Sequence, residues 1–249
     1  VLDSTIVNVA LPHLQAAFGI AADQTTWILT SYIVAAIVVM PLTGLFARWL
    51  GKRRLITISI VGFTVFSALC GIAENIEMMV VCRLGQGLFG AFLIPLSQST
   101  LMNAFPRDRR GQAMAMFGLG VIVAPILGPT LGAVLTEHFS WRAVFYVNVP
   151  IAAFALMMIS GELQREETQK VAIDWTGLIL MVLAIGCLQF VLDQGETRDW
   201  LESRVIQVFV TVAALSAVLF VVRGWRLDTN IIDFKLLRDR SFASANLAM

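Results

Sequence analysis

Residues 118–132, GLGVIVAPILGPTLG, decide the fold of this chain, because they are apolar enough to lie in a lipid bilayer and are rich in glycine and proline. Small residues recur at every fourth position, at Gly120, Ala124, Gly128 and Gly132. On a helix, this spacing gives a flat face on which a second helix packs closely. Pro125 and Pro129 predict a kink, which a membrane tolerates only beside a partner helix or a cavity. Two interpretations remain open: a tightly packed structural helix, or a pliable seam between helix bundles that move.

The composition is typical of an integral membrane protein. Hydrophobic residues make up 58% and charged residues 14% of the 249 residues, and the mean hydropathy is +0.80, whereas soluble domains contain about 45–50% apolar and about 25% charged residues. Cys70, Cys82 and Cys187 lie in apolar runs without metal-ligand spacing, which favours buried free thiols. The sequence contains no GxSxG, HExxH, CxxC or P-loop motif. We therefore expect neither an enzyme nor an ATP-driven pump, with no cofactor, no metal site and no nucleic-acid partner.

Eight apolar segments predict eight membrane crossings of roughly 20 residues each. We place them at residues 1–17, 27–47, 55–73, 78–104, 113–136, 143–159, 175–192 and 205–222. The first crossing is incomplete, so we expect a piece of a longer protein. Arginine and lysine are concentrated in alternate loops, at residues 48–54, 107–110, 165–170 and 223–240. By the positive-inside rule these loops are cytoplasmic, and all eight crossings then alternate consistently. Residues 229–240 mix apolar and charged side chains and predict an interfacial segment.

Two charged residues lie within the apolar segments, Asp3 in the first and Arg83 in the fourth. A charge at mid-membrane costs roughly 2.5–3.5 kcal/mol on insertion scales, so such a group faces a cavity or a partner. The alternatives are that Asp3 caps a helix near the cytoplasm and that Arg83 extends to the membrane surface. We hypothesise that Asp3 and Arg83 couple a carrier to protons: Arg83 keeps Asp3 ionised when the two are close, and Asp3 binds a proton when they separate.

Other polar and flexible side chains in the apolar segments have more ordinary interpretations. His13 is best explained as an interfacial residue. The neutral polar residues are more often structural than ligand-binding; they are Asn8, Gln15, Ser97, Gln98, Ser99 and Asn148. A third set would suit an adaptable apolar pocket but equally a lipid-facing surface; it comprises Phe89, Phe92, Met114, Met116 and Phe117. The substrate-binding residues therefore stay unknown at this stage.

Several stretches together resemble the major facilitator superfamily, and within it the fourteen-helix drug:proton antiporters of the EmrB type. The stretches, which cover nearly the whole chain in the expected order, are LDSTIVNVALP (2–12), GLFARWLGKRRL (44–55), RLGQGLFGAFLIPLSQS (83–99), VIVAPILGPTLG (121–132), SWRAVFYVNVP (140–150), LQFVLDQGETRDW (188–200) and IIDFKLLRDRSF (231–242). The resemblance gives Asp3 and Arg83 the family's acidic and basic positions. The fourth stretch resembles the antiporter motif and includes Gly120, Pro125, Gly128, Pro129 and Gly132.

The second stretch resembles the family's cytoplasmic gate loop and contributes Gly44, Arg48, Gly51, Lys52 and Arg53. It departs from the family pattern, because the family usually carries Asp at the position of Arg48 and a basic residue at that of Trp49. The usual Asp-based gating contact therefore cannot be transferred to Arg48. Basic residues could still hold the gate through the C-termini of helices.

The resemblance implies an all-α membrane protein, with the N-terminal six-helix bundle of the major facilitator fold at residues 1–160. A cytoplasmic loop with two linker transmembrane helices would follow at 161–228, and an interfacial segment with the start of the C-terminal bundle at 229–249. It also implies export of hydrophobic or amphipathic drugs against proton entry by alternating access, from a Gram-negative inner membrane. A periplasmic adaptor and an outer-membrane channel are the implied partners. Two alternatives stay open: an exporter of one endogenous metabolite or siderophore, and a non-transporting membrane receptor or scaffold.

Overall fold

The structure is a computed structural model that describes residues 2–162 and 174–226. It divides into two compact units, Val1–Thr168 and Gln169–Met249. The described helices of the first unit are α1 (Leu2–Phe18), α2 (Ala22–Val39), α3 (Thr43–Leu50), α4 (Lys52–Gly71), α5 (Ile76–Gly90), α6 (Leu93–Ala104), α7 (Arg110–His138), α8 (Ala143–Tyr146) and α9 (Asn148–Glu162). Those of the second unit are α10 (Trp175–Gln194) and α11 (Arg204–Arg226). The predicted interfacial segment at 229–240 lies outside the described residues.

Six helical segments among the described residues are long and apolar enough to cross a membrane. They are Ala22–Leu50, Lys52–Gly71, Ile76–Ala104, Arg110–His138, Trp175–Gln194 and Arg204–Arg226. The other two predicted crossings are shorter: α1 has 17 residues, and the apolar segment Ala143–Ile159 falls in the range of 10–17 residues. An all-helical membrane fold is therefore confirmed for the described part of the chain, whereas the count of eight crossings stays a prediction.

Three of the predicted crossings are interrupted, and each interruption is linked to a proline. A 3₁₀ turn at Met40–Leu42 separates α2 from α3 and contains Pro41. The turns before α6 and α9 precede Pro95 and Pro150, each in the first turn of the new helix. A proline ring clashes with the carbonyl group four residues earlier, which explains why the preceding helices end near 91 and 146. By contrast, α7 continues through both Pro125 and Pro129.

The first unit has two apolar clusters at opposite ends of its helices. One surrounds Leu14, Met79 and Phe145, and the other surrounds Leu55 and Leu96. Close helix approaches lie between the two ends. A side chain added at Gly87 of α5 would collide with the backbone carbonyl of Tyr32 in α2. Glycine is therefore required there for two backbones to touch.

Four small residues form a stripe along α7, at Gly120, Ala124, Gly128 and Gly132, and the last two of them pack against α1. A Cβ atom added at Gly132 would lie 3.0 Å from the carbonyl oxygen of Ile6, and one at Gly128 would collide with the side chain of Thr5. At Gly120, an added Cβ atom would have no neighbour within 4 Å. The small residues thus serve close packing in the second half of the stripe, whereas the first half borders open space.

The second unit is a hairpin of α10 and α11. The rings of Phe190 and Phe209 stack with centroids 4.2 Å apart. Asp174 caps the N-terminus of α10 by accepting a hydrogen bond from Gly177 N–H at 3.0 Å. The same carboxylate receives hydrogen bonds from Nε of Arg223 at 3.0 Å and from its Nη2 at 2.9 Å. One acidic side chain thus both starts α10 and ties it to the end of α11.

Candidate functional site

A buried ion pair connects α1 to α5 in the first unit. Nη1 of Arg83 lies 2.8 Å from Oδ2 of Asp3, and the two side chains are 0% and 5% exposed. These are the two charged residues that the sequence places within apolar segments, and the structure brings them into direct contact. A charge pair at this depth requires good geometry and further hydrogen bonds to offset the loss of water.

The Asp3 carboxylate receives hydrogen bonds on both oxygens. Oδ2 accepts from Arg83, while Oδ1 accepts from Nε2 of Gln86 at 3.1 Å and from Nδ2 of Asn148 at 2.7 Å. An ionised carboxylate only accepts hydrogen bonds. Three donors converging on one carboxyl group therefore match its ionised form.

The guanidinium group of Arg83 is held on several sides. Its Nε donates to the carbonyl oxygen of Ile28 at 3.1 Å, and its Nη1 also donates to Oε1 of Gln86 at 2.6 Å. The Cζ atom lies 4.4 Å from the ring centroid of Tyr32 and 6.0 Å from that of Phe145. Aromatic faces attract cations. Among the described residues Nη2 has no hydrogen-bond partner.

A second layer of polar groups supports this pair from α4 and the α8–α9 junction. Nδ2 of Asn148 also donates to Oγ of Ser67 at 3.0 Å, and the Ser67 hydroxyl group donates to the carbonyl oxygen of Phe145 at 2.8 Å. The thiol of Cys70 lies 3.9 Å from Oε1 of Gln86. The network therefore joins six helices: α1, α2, α4, α5, α8 and α9.

The remaining predicted site residues lie outside this network. In the predicted gate loop, Gly44 and Arg48 are exposed on α3, and Gly51 adopts a left-handed φ of 80° between α3 and α4. Lys52 and Arg53 form the first turn of α4 and are half-buried. In the antiporter-motif helix, Gly128 and Gly132 contact α1, the helix that carries Asp3. Gly120, Pro125 and Pro129 are exposed.

An open apolar groove of about 330 Å³ lies between α6 and α7. Its lining is Leu93, Ile94, Ser97, Met116, Phe117, Gly120, Val121 and Ala124. Three residues suggested for an adaptable pocket or a cavity wall are among them, namely Ser97, Met116 and Phe117. Phe89, by contrast, stacks on Phe66 with centroids 5.7 Å apart.

Sequence reasoning missed Ser67 and Tyr32 and took Asn148 for an ordinary structural residue. A signal existed on α4, where Ser59, Ser67 and Cys70 share one buried face among apolar neighbours. No group of three or more His, Cys, Asp or Glu side chains in residues 2–162 and 174–226 could hold a metal ion.

The comparison with known proteins agrees with this architecture. The sequence profile of the Major Facilitator Superfamily, a family of transporters rather than of enzymes, matches residues 1–229. The chain is 39% identical over 248 residues to the multidrug export protein EmrB of Haemophilus influenzae, covering 98% of this chain and 48% of that protein. It is 40% identical over 252 residues to the fatty acid resistance protein FarB of Neisseria gonorrhoeae, covering 100% of this chain and 49% of that protein. The chain thus spans about half the length of these curated relatives.

Proposed function

The chain belongs to the Major Facilitator Superfamily, and from this premise we propose that it forms the N-terminal half of a proton-coupled exporter of hydrophobic or amphipathic compounds. Export would proceed as antiport by alternating access, with substrate held between two helix bundles. Helices α1–α9 would build the first bundle. Helices α10 and α11 would be the two linker helices that precede the second bundle.

The observation that carries this proposal is the buried carboxylate of Asp3 within a set of hydrogen-bond donors. Replacing a buried ion pair by apolar residues is often neutral or stabilises a protein by about 1–4 kcal/mol. A static receptor or scaffold therefore gains little from Asp3 and Arg83. A carrier, by contrast, can use a carboxyl group that binds and releases a proton within the membrane. Ionisable groups within membrane segments mark proton relays and the pathways of substrates and ions.

The two charged residues would have different roles in transport. Arg83 stays protonated, because a guanidinium group does not release its proton in proteins. Asp3 would be the group that gains and loses the proton. When a proton binds, Asp3 gives up its charge and its attraction for Arg83, and the hydrogen bonds from Gln86 and Asn148 lose their charged acceptor. This loss would favour a rearrangement of α1 against α5.

The loop and helix motifs would serve the conformational change. We assign the cytoplasmic gate to Gly44, Arg48, Gly51, Lys52 and Arg53. The exposed part of α7, with Gly120, Pro125 and Pro129, would form the seam with the second bundle, while Gly128 and Gly132 hold α7 on α1.

The location and the partners belong to the same proposal. The protein would reside in a bacterial inner membrane as a multi-pass protein. The resemblance to EmrB-type exporters implies a periplasmic adaptor and an outer-membrane channel, which we propose as its partners. Drug resistance of cells lacking their own exporters, with and without the adaptor, tests this assignment.

The test of the function is uptake of a fluorescent amphipathic cation into proteoliposomes that contain the complete transporter, under an imposed pH gradient. We expect Asp3→Asn to abolish the proton-driven component. Asp23→Asn is the matched control, because it removes the same charge from an exposed position in the first turn of α2. Full retention of proton-driven uptake in Asp3→Asn would refute the role of Asp3. Absence of uptake in the unmodified transporter would favour the receptor or scaffold.

A narrower substrate range is the second candidate, in which the protein exports one endogenous metabolite or siderophore. The relative named for fatty acid resistance, 40% identical over this whole chain, favours a fatty acid as that compound. A fluorescent fatty acid and the fluorescent cation, compared in the same vesicles, separate the two candidates. Proton-driven transport of the acid alone would support the narrower function.

A further inference from the structure

We propose that Asn148 is a positioning residue that serves the Asp3 carboxyl group in both of its protonation states, by rotation of its side-chain amide. This inference rests on the proposed function, since it concerns the same carboxyl group. Asn148 is the first residue of α9 and is 8% exposed. Its Nδ2 donates to Oδ1 of Asp3 at 2.7 Å, the shortest of the three hydrogen bonds to this carboxylate.

The orientation of the Asn148 amide is fixed by Ser67. The Ser67 hydroxyl group donates its one hydrogen to the carbonyl oxygen of Phe145 at 2.8 Å, so its oxygen remains free to accept. That oxygen lies 3.0 Å from Nδ2 of Asn148. The amide therefore presents nitrogen to Ser67 and to Asp3 together, and each of its two N–H hydrogens has an acceptor.

A primary amide is suited to this position because it has a donor and an acceptor related by a half-turn. When Asp3 binds a proton, its O–H group becomes a donor and needs an acceptor. Rotation of the amide by 180° brings Oδ1 of Asn148 to the place of Nδ2. Oδ1 can then accept from Asp3 and from Ser67, whose hydrogen turns away from Phe145. In the rotated state the O–H group of Asp3 and the hydroxyl group of Ser67 both have an acceptor, so the proton bound by Asp3 is not buried without a hydrogen-bond partner.

The other groups around Asp3 cannot make this exchange. Arg83 on α5 has donors only. Gln86 is held by Arg83, which donates to its Oε1 at 2.6 Å. Tyr32 on α2 and Cys70 on α4 are the other titratable side chains that the described helices place around the ion pair. Asn148 also lies at the junction of α8 and α9, as the first residue of α9.

The matched test compares two serines of α4. Ser67 and Ser59 are both 0% exposed, but Ser59 Oγ has no hydrogen-bond partner among the described residues, whereas Ser67 holds Asn148. In the complete transporter, reconstituted in lipid, the infrared C=O band of a protonated carboxyl group is titrated with pH. The band of Asp3 is the one that disappears in Asp3→Asn. This measurement does not depend on transport.

Hydrogen bonds to a charged group are stronger than those to a neutral one. Loss of the Asn148 amide should therefore destabilise the ionised form of Asp3 more than its protonated form. We expect Asn148→Leu to move the midpoint of the Asp3 band, and of proton-driven uptake, by about one unit toward higher pH. Ser67→Ala should move both in the same direction by a smaller amount, and Ser59→Ala should leave both unchanged. If Asn148→Leu does not fold, the two serine variants decide alone.

The outcomes separate this inference from the proposed function. If the midpoints of Asn148→Leu and Ser67→Ala equal those of the unmodified protein and of Ser59→Ala, the role of Asn148 is overturned, even if uptake depends on Asp3. A shifted infrared midpoint in a protein without proton-driven uptake would support the role of Asn148 and overturn the exporter.

Discussion

Replacement of Arg83 by methionine is expected to destabilise the first helix bundle by about 3 kcal/mol. The substitution preserves an unbranched side chain but leaves the Asp3 carboxylate, which is 5% exposed, without its counter-charge. Removing one partner of a buried ion pair costs about 3–5 kcal/mol. The lower end applies because Gln86 and Asn148 still donate to Oδ1 of Asp3. A loss of 3 kcal/mol corresponds to roughly a hundredfold increase in the unfolded fraction.

The thiols of Cys70 and Cys82, which are 0% and 5% exposed, allow this increase to be measured. A maleimide dye reacts with them only when the bundle opens, so the labelling rate is proportional to the open fraction. The measurement uses the complete transporter in mixed micelles, with Cys187→Ser to remove the more exposed thiol. We expect Arg83→Met to label roughly a hundredfold faster than the unmodified bundle.

Two further variants test the reasoning. Arg109→Met is the control, because this arginine side chain is 71% exposed and its loss should change stability by less than about 0.5 kcal/mol. Asp3→Asn added to Arg83→Met should recover part of the loss, since the uncompensated charge is then gone. A labelling rate for Arg83→Met within a factor of about five of the unmodified rate, or a double variant no more stable than Arg83→Met, would refute the assignment of Asp3 as a buried charge.

Two other predictions concern packing and the second unit. Gly128→Ala should lower the free energy of unfolding by about 1–3 kcal/mol, because its Cβ atom would collide with Thr5 of α1. Gly120→Ala should be tolerated, because an added Cβ atom there has no neighbour within 4 Å. Thermal unfolding of both variants checks this prediction, and equal melting temperatures would contradict it. Hydrogen bonds from Arg223 hold the pKa of Asp174 below its ordinary value of 3.8. Their contribution to hairpin stability is therefore present above that value and is lost as the pH falls through the lowered pKa. Asp174→Asn should reproduce the loss at neutral pH, seen as faster hydrogen exchange in the first turn of α10; unchanged exchange would contradict it.

Most of the helix positions could be predicted from hydropathy, but the interruptions could not. Apolarity does not change at residues 40–42, 91–92 or 147, because turn and helix there lie in the same hydrophobic surroundings. Proline was the available signal, but its effect depends on where it falls. Pro95 and Pro150 accompany helix breaks, whereas Pro125 lies within a continuous helix. The kink that Pro125 and Pro129 predict in α7 stays a prediction, because a continuous helix can still bend at a proline.

The ion pair could be predicted because a charge in an apolar segment is costly and stands out. Asp3 and Arg83 stand out on that ground, and the family resemblance points to the same two positions. The polar groups that support them could not be ranked, because serine, tyrosine and asparagine occur in membrane helices for many reasons. The contacts of Ser67 and Asn148 cross 81 positions of sequence, and only the packing of α4 against α9 brings them together.

The confinement of Arg83 has an electrical consequence. Its positive charge is anchored to the backbone of α2 at Ile28 and lies against the ring of Tyr32, and Gly87 brings the same two helices into backbone contact. Helices α2 and α5 therefore hold the positive pole of the bundle together. Under the proposed function, a single proton on Asp3 would remove the opposite pole on α1, and the field inside the bundle would change without a displacement of the arginine.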